Sequence, residues 1–200
     1  YSGASDPRKN VENLMRAFSQ LPPKLKHVKL VLVGKLLRAE IELIDKWIDL
    51  FKIEPNSVIK TGYISDSDLV HLYRKCGLFV FPSLHEGFGL PVLEAMSCGA
   101  PVIGSNCTSI PEVIGLKKAM FDPKNIVEIR NLIVKVFSSN EFRNDLLANS
   151  RLQSKKFSWS NTVNVVVQAR QSLSNLNTFN TRNFSDWESL SKQNQLLFDF

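Results

Sequence analysis

Short apolar runs rich in β-formers alternate along this chain with stretches of helical period, and no other feature limits the fold as much. The strand-like runs are residues 28–33 (VKLVLV), 58–60, 78–81, 101–104 and 119–121, and residues 1–3 read as the end of another. Between and after them, apolar positions recur at helical spacing. Val11, Leu14, Phe18 and Leu21 mark the first helix, with Asn10 a natural N-cap and Pro22-Pro23 a stop. Further helices are expected over 39–51, 66–76, 90–98, 110–114, 126–137, 141–155 and 160–173. Ser65 followed by Asp68 reads as a capping box with Asp in place of Glu, and Pro91 sits in a first turn, where proline is tolerated. Strand–helix alternation with ordinary connection lengths implies βαβ units. The expected fold is α/β, with a parallel sheet of about six strands, helices on both faces and more helices at the C-terminal end.

Composition excludes several classes. Of 200 residues 44% are apolar, enough for a sizeable core. Lys and Arg exceed Asp and Glu by 25 − 19 = 6, a modest excess spread along the chain, without a block dense enough for nucleic acid or a polybasic membrane patch. Cys76, Cys98 and Cys107 match no metal spacing and sit among apolar neighbours, so buried thiols in a reducing, cytoplasmic compartment are expected. No apolar run approaches the roughly 18 residues of a membrane span, and no signal peptide is evident. The chain opens Tyr-Ser-Gly, as though entering mid-strand, which suggests a piece of a longer polypeptide. From Ser174 the sequence turns polar and Asn-rich (SNLNTFNTRNF), then ends in an apolar cluster of Leu196, Leu197, Phe198 and Phe200. Residues 1–173 are therefore expected to form one domain. Residues 174–200 are a linker and tail, either docking on or leading to another domain, or a frayed end.

The segment FPSLHEGFGLPVLEAMSCG carries the candidate site. Ligands of open parallel sheets bind beyond the carboxyl ends of the strands, and residues 83–89 lie at that edge. Gly87 and Gly89 let a ligand approach the backbone, and the following helix start offers the amides of Phe88, Gly89 and Leu90 to an anion such as a diphosphate. A tight connection that simply needs small residues is the alternative, since a lone Gly-x-Gly is weakly specific. Glu86 precedes the turn and Glu94 falls one turn into the helix. Each carboxylate is either a solvated surface charge or an acceptor for sugar hydroxyls.

Glu86 through Glu94 (EGFGLPVLE) resembles the E-x7-E motif of retaining glycosyltransferases of family 4, the group 1 glycosyltransferases. YSGASDPRKNVENLMRAF, LVLVGK, VIKTGYISDSDLVHLYRKCGLFVFPS, PVIGSNCTSIPEVIG, DPKNIVEIRNLI and RLQSKKFSWSNTV follow the family in order, over residues 1–173. The resemblance implies the Rossmann-like, C-terminal, donor-binding domain of a GT-B enzyme, three layers α/β/α, with the N-terminal acceptor domain outside this sequence. It implies no cofactor and no metal. It assigns Glu94 to the ribose hydroxyls and Glu86 to the transferred sugar near the reacting centre. It assigns the amides of Phe88, Gly89 and Leu90 to the diphosphate or sugar, places Gly87 beside them at the donor, and gives Lys9 to the diphosphate. The Gly62-Tyr63-Ile64 turn would line the base pocket, and Gly3 would stand at the turn of the first strand. One departure is plain: the family commonly has Arg after this first glycine, and here Ala4 follows Gly3. Arg8 is the candidate substitute cation, or the chain belongs to a subgroup without one. His85, beside Glu86, is not read as catalytic.

The function so implied is transfer of a hexosyl group from a nucleotide diphosphate sugar to a hydroxyl acceptor with retention, in glycan or lipid-linked polysaccharide synthesis. This fragment would be the donor half, inactive alone. A mannosyltransferase fits, acting in the cytoplasm or at the inner face of the membrane. The rivals are a degenerate nucleotide-sugar-binding or structural module, favoured only by Ala4, and a nucleotide-sugar epimerase of the same fold.

Overall fold

A computed structural model describes residues 1–3 and 6–175. Its contacts gather Tyr1–Lys156 into one compact unit, and a second unit begins at Phe157. Ala4 and the tail beyond Asn175 lie outside the described residues.

The first unit is built from five short parallel strands. These are β1 (Leu30–Leu32), β2 (Val58–Lys60), β3 (Phe79–Phe81), β4 (Val102–Ser105) and β5 (Met120–Phe121). They form two sheets, ordered β1-β2 and β3-β4-β5. Residues 1–3 contribute a further strand end, with Ser2 bridged in parallel to Val33 beside β1. In place of the expected single sheet of about six strands there are two parallel sheets, with five strands and a stub between them. All pairings are parallel, with Leu30 opposite Val58 and Phe79 opposite Val102. β3 and β4 are buried along their whole length, as parallel strands covered on both faces must be. β2 exposes Ile59 and forms an edge.

The helices are α1 (Val11–Ser19), α2 (Arg38–Leu50), α3 (Asp66–Lys75), α4 (Leu90–Ser97), α5 (Ile110–Ile114), α6 (Ile126–Ser138) and α7 (Asn140–Gln153). α1 packs on α2 and α6, while α4 packs on α3, α5 and α7. Each turns an apolar stripe inward: Leu14, Met15 and Ala17 from α1, Val92, Ala95 and Met96 from α4, and Ile129 and Ile133 from α6 are all buried. These stripes and the strands make one core. α8 (Trp159–Asn175) belongs to the second unit.

Three local expectations need correcting. Asn10 stands at the head of α1 but does not cap it; its backbone is left-handed, with φ of 58°, and its side chain bonds elsewhere. Ser65 does accept from the amide of Asp68, yet its hydroxyl donates to the Asp68 carboxylate, so the return half of the box differs. The cysteines are free but only half-buried. Burial nevertheless raises the Cys76 thiol above its ordinary pKa, and its Sγ lies 3.2 Å from the carbonyl of Tyr73.

Candidate functional site

The site forms where the strands end. After the stub the chain makes a 3-10 turn, Pro7–Lys9, capped by the Asp6 carboxylate accepting from the Arg8 amide. The turn is fastened to the loop after β3. The amide of Leu84 donates to the carbonyl of Arg8 across 2.7 Å. Asn10, buried, donates from Nδ2 to the carbonyl of Pro82 at 3.0 Å and to that of Pro123 at 2.7 Å, tying the turn to the exits of β3 and β5. The left-handed backbone of Asn10 aims the side chain this way, a conformation Asn tolerates better than other non-glycine residues.

These ties bring Lys9 to Glu86 across 77 positions of sequence, with Nζ 2.7 Å from Oε1. Both side chains are largely shielded, 26% and 13% exposed, so the pair is screened less than a surface pair. Nζ also lies 5.7 Å from the centroid of the Phe81 ring. An ammonium has three donors, so pairing with one carboxylate oxygen leaves capacity for a further anionic acceptor.

The loop from Glu86 to Gly89 is held from the far side by the start of α5. Thr108 Oγ1 accepts from the Glu86 amide at 3.1 Å, and the Ser109 hydroxyl faces the carbonyls of Glu86 and Phe88 at 3.2 and 3.0 Å. Carbonyls of this loop are thus drawn toward α5. Gly89 heads α4 with φ of 99°. A Cβ there would meet Ile110 Cδ1 at 2.6 Å, so backbone and packing both require glycine. A Cβ at Gly87 would meet nothing within 4 Å, so the backbone there is open to approach. The amide of Leu90 has no partner within its own helix, as at any helix start, Pro91 offers no donor, and the amide of Val92 turns back to the Gly89 carbonyl at 2.9 Å.

Glu94 is exposed, but its Oε2 accepts from the hydroxyl of Tyr73 at 3.1 Å. Burial raises the Tyr73 phenol above its ordinary pKa, and the nearby Glu94 charge adds to this, while a hydrogen bond from Ser2 acts the other way. Tyr73 therefore stays protonated and donating. Ser2 links this carboxylate to the stub. On Gly3, a Cβ would meet the Tyr1 hydroxyl at 2.7 Å, and burial, followed by the Glu86 charge, raises that phenol above its ordinary pKa. Both carboxylates thus border residues 1–3.

Arg8 points elsewhere. It is exposed and forks onto Asp6, with Nε 3.0 Å and Nη2 2.9 Å from the carboxylate oxygens. Those bonds from Arg8 hold the Asp6 pKa near about 2. Gly62 is left-handed at φ 68°, its carbonyl accepting from Gly34, while Tyr63 is 80% exposed and Ile64 half-buried. Residue patterns did not single out Asn10 as an anchor, nor Tyr73, Thr108 and Ser109. Among the described residues, no cluster of three or more His, Cys, Asp or Glu is gathered to hold a metal ion.

Comparison with known proteins identifies the frame. Residues 1–153 match the family described as "Glycosyl transferases group 1". The chain is 45% identical over 164 residues to the serotype-specific mannosyltransferase WbdA of Escherichia coli, covering 82% of this chain and 20% of that protein. It is 35% identical over 169 residues to O-antigen chain mannosyltransferase B of Escherichia coli, covering 84% and 44%. Among solved structures, Anabaena Alr3699/HepE in complex with UDP and glucose superposes with a TM-score of 0.71 at 25% identity, covering 88% of this chain and 48% of that one. The chain therefore spans less than half the length of these relatives. Its fold is a Rossmann-like half of the GT-B architecture, and the chain belongs to the group 1 glycosyltransferases.

Proposed function

We propose that this chain is the donor-binding half of a retaining family 4 glycosyltransferase that moves a hexosyl group, mannosyl by its named relatives, from a nucleotide diphosphate sugar to a hydroxyl of a glycan or lipid-linked acceptor. The observation that carries this reading is the shielded Lys9–Glu86 pair standing beside an open glycine loop and a helix start. Cleavage of the glycosidic bond leaves extra negative charge on the departing nucleoside diphosphate. A preorganised ammonium and backbone amides stabilise that charge where it develops. Lys9 and the amides of Gly87, Phe88, Gly89 and Leu90 perform this task, while Glu86 orients the hexose at its reacting end. Glu94, steadied by Tyr73, accepts from the ribose hydroxyls, and so is not the nucleophile of a double displacement.

Gly62, Tyr63 and Ile64 border the base, and Gly3 lets the diphosphate near the stub. Arg8 enters only if its fork leaves Asp6. The donor domain takes in the first compact unit, Tyr1–Lys156. The acceptor domain belongs to the same parent, which works in the cytoplasm or at the inner face of the membrane. Among the described residues no helix is long and apolar enough to cross a membrane. Calorimetry of the chain against UDP-, GDP- and ADP-sugars tests the reading. Binding to one class of donor without transfer is expected, and a folded chain that binds none of them overturns it.

A further inference from the structure

Among the described residues three that are not glycine have a left-handed backbone: Asn10, Lys52 and Thr108. Residue type or place accounts for two of them. Asn adopts this conformation more readily than most side chains. Lys52 follows α2, where its amide donates to Asp49 and that of Ile53 to Ile48, the pairing of a helix end closed by a left-handed residue. Thr108 has neither explanation. It is β-branched, and at φ 51° its Cβ substituents crowd the backbone. It is also exposed, so burial of the side chain does not offset the cost.

Thr108 lies in a tight turn, closed by the amide of Ile110 donating to the carbonyl of Cys107 at 3.2 Å. Glycine would make a left-handed turn residue without strain, but it has no hydroxyl. Oγ1 of Thr108 accepts from the amide of Glu86 at 3.1 Å, across 22 positions of sequence. Ser109, with an ordinary φ of −85°, sets its hydroxyl 3.2 Å from the carbonyl of the same Glu86 and 3.0 Å from that of Phe88. Two consecutive hydroxyls thus hold the amide and the carbonyl of one residue. The other half of the ion pair is held in the same manner, since left-handed Asn10 adjoins Lys9 and ties its turn to Pro82 and Pro123. Unfavourable backbone persists where the surroundings over-determine it, and such residues gather at functional sites.

We propose that Thr108 is a positioning residue for Glu86: it takes a strained backbone so that its hydroxyl fixes the Glu86 peptide, and with it the carboxylate, where it meets both Lys9 and the hexose of the donor. The inference rests on the role given to Glu86 above. Thr108 itself touches no reacting atom. Backbone and hydroxyl act separately, the first on stability and the second on the place of the acid. A brace of the ordinary kind would move both together.

The test compares Thr108→Ala, Thr108→Gly and Thr108→Ser with the unaltered chain. Three quantities are read: the urea midpoint, hydrogen exchange at the Glu86 amide, and calorimetric affinity for UDP-glucose, GDP-mannose and ADP-glucose beside UDP, GDP and ADP alone. Ala keeps the strain without the hydroxyl, so the midpoint should fall; Gly relieves the strain, so the midpoint should return to the unaltered value or exceed it. Both should speed exchange at Glu86 about 5- to 10-fold and weaken binding of the nucleotide sugar about 3- to 10-fold, with less effect on the nucleoside diphosphate. Ser keeps the hydroxyl and should retain protection and affinity. A midpoint that falls as far with Gly as with Ala overturns the proposal. So does Glu86 protection that survives both, or sugar affinity that neither alters. If the unaltered chain binds none of the probes, the proposed function fails instead, and exchange and midpoint alone decide whether Thr108 sets Glu86.

Discussion

The hydroxyl of Tyr73 donates to Oε2 of Glu94, so a buried ring on α3 fixes an exposed acid on α4. The two helices pack together, and the bond engages one of the two carboxylate oxygens. Removing only this hydroxyl, in Tyr73→Phe, keeps the packing and loosens the acid. Affinity for a ribonucleoside diphosphate should fall about 3- to 10-fold, near 1 kcal/mol. Affinity for the 2′-deoxy analogue should change less, and calorimetry with both measures the difference. Equal losses would mean that Glu94 does not meet the sugar.

Lys9→Ala removes the shielded ammonium and leaves Glu86 without its partner. Donor binding should weaken by roughly 10- to 100-fold, the range for losing a bond to a charged group. Glu94→Gln should weaken nucleotide binding more than Glu86→Gln if, as proposed, Glu94 meets the ribose and Glu86 the hexose. Titration with the nucleoside diphosphate alone, then with the full donor, separates the two.

Asn10→Ala deletes the amide that bonds the carbonyls of Pro82 and Pro123, and puts Ala in a left-handed conformation. Two shielded carbonyls and an unfavourable backbone should together cost about 2–4 kcal/mol in urea unfolding. Asn10→Gly keeps the backbone relaxed, so its loss should be about 1 kcal/mol smaller. Both should also weaken donor binding through Lys9.

The sheet could be read from sequence because β3 and β4 are buried on both faces and appear as unbroken apolar runs. Residues 58–60 and 110–114 were expected as a strand and a helix with the bounds observed. The run 28–33 shrank to Leu30–Leu32, because the amide of Val28 turns back to Leu25 and Val33 pairs with Ser2. The glycine loop and its two acids were visible as a motif. Their partners were not. Tyr73 sits at the spacing of a core helix position, so its hydroxyl gives no signal in the pattern. Asn before a helix suggests a cap, and only the fold diverts its amide to two distant carbonyls. The pairing of Lys9 with Glu86 depends on those long-range ties, which no local window contains.

The clasp at Asn10 has a mechanical result. One amide group grips the exits of two strands while the adjoining residue carries the cation, so the cation has no hinge of its own. The backbone that carries Lys9 therefore cannot part from the ends of β3 and β5 without breaking one of those two bonds.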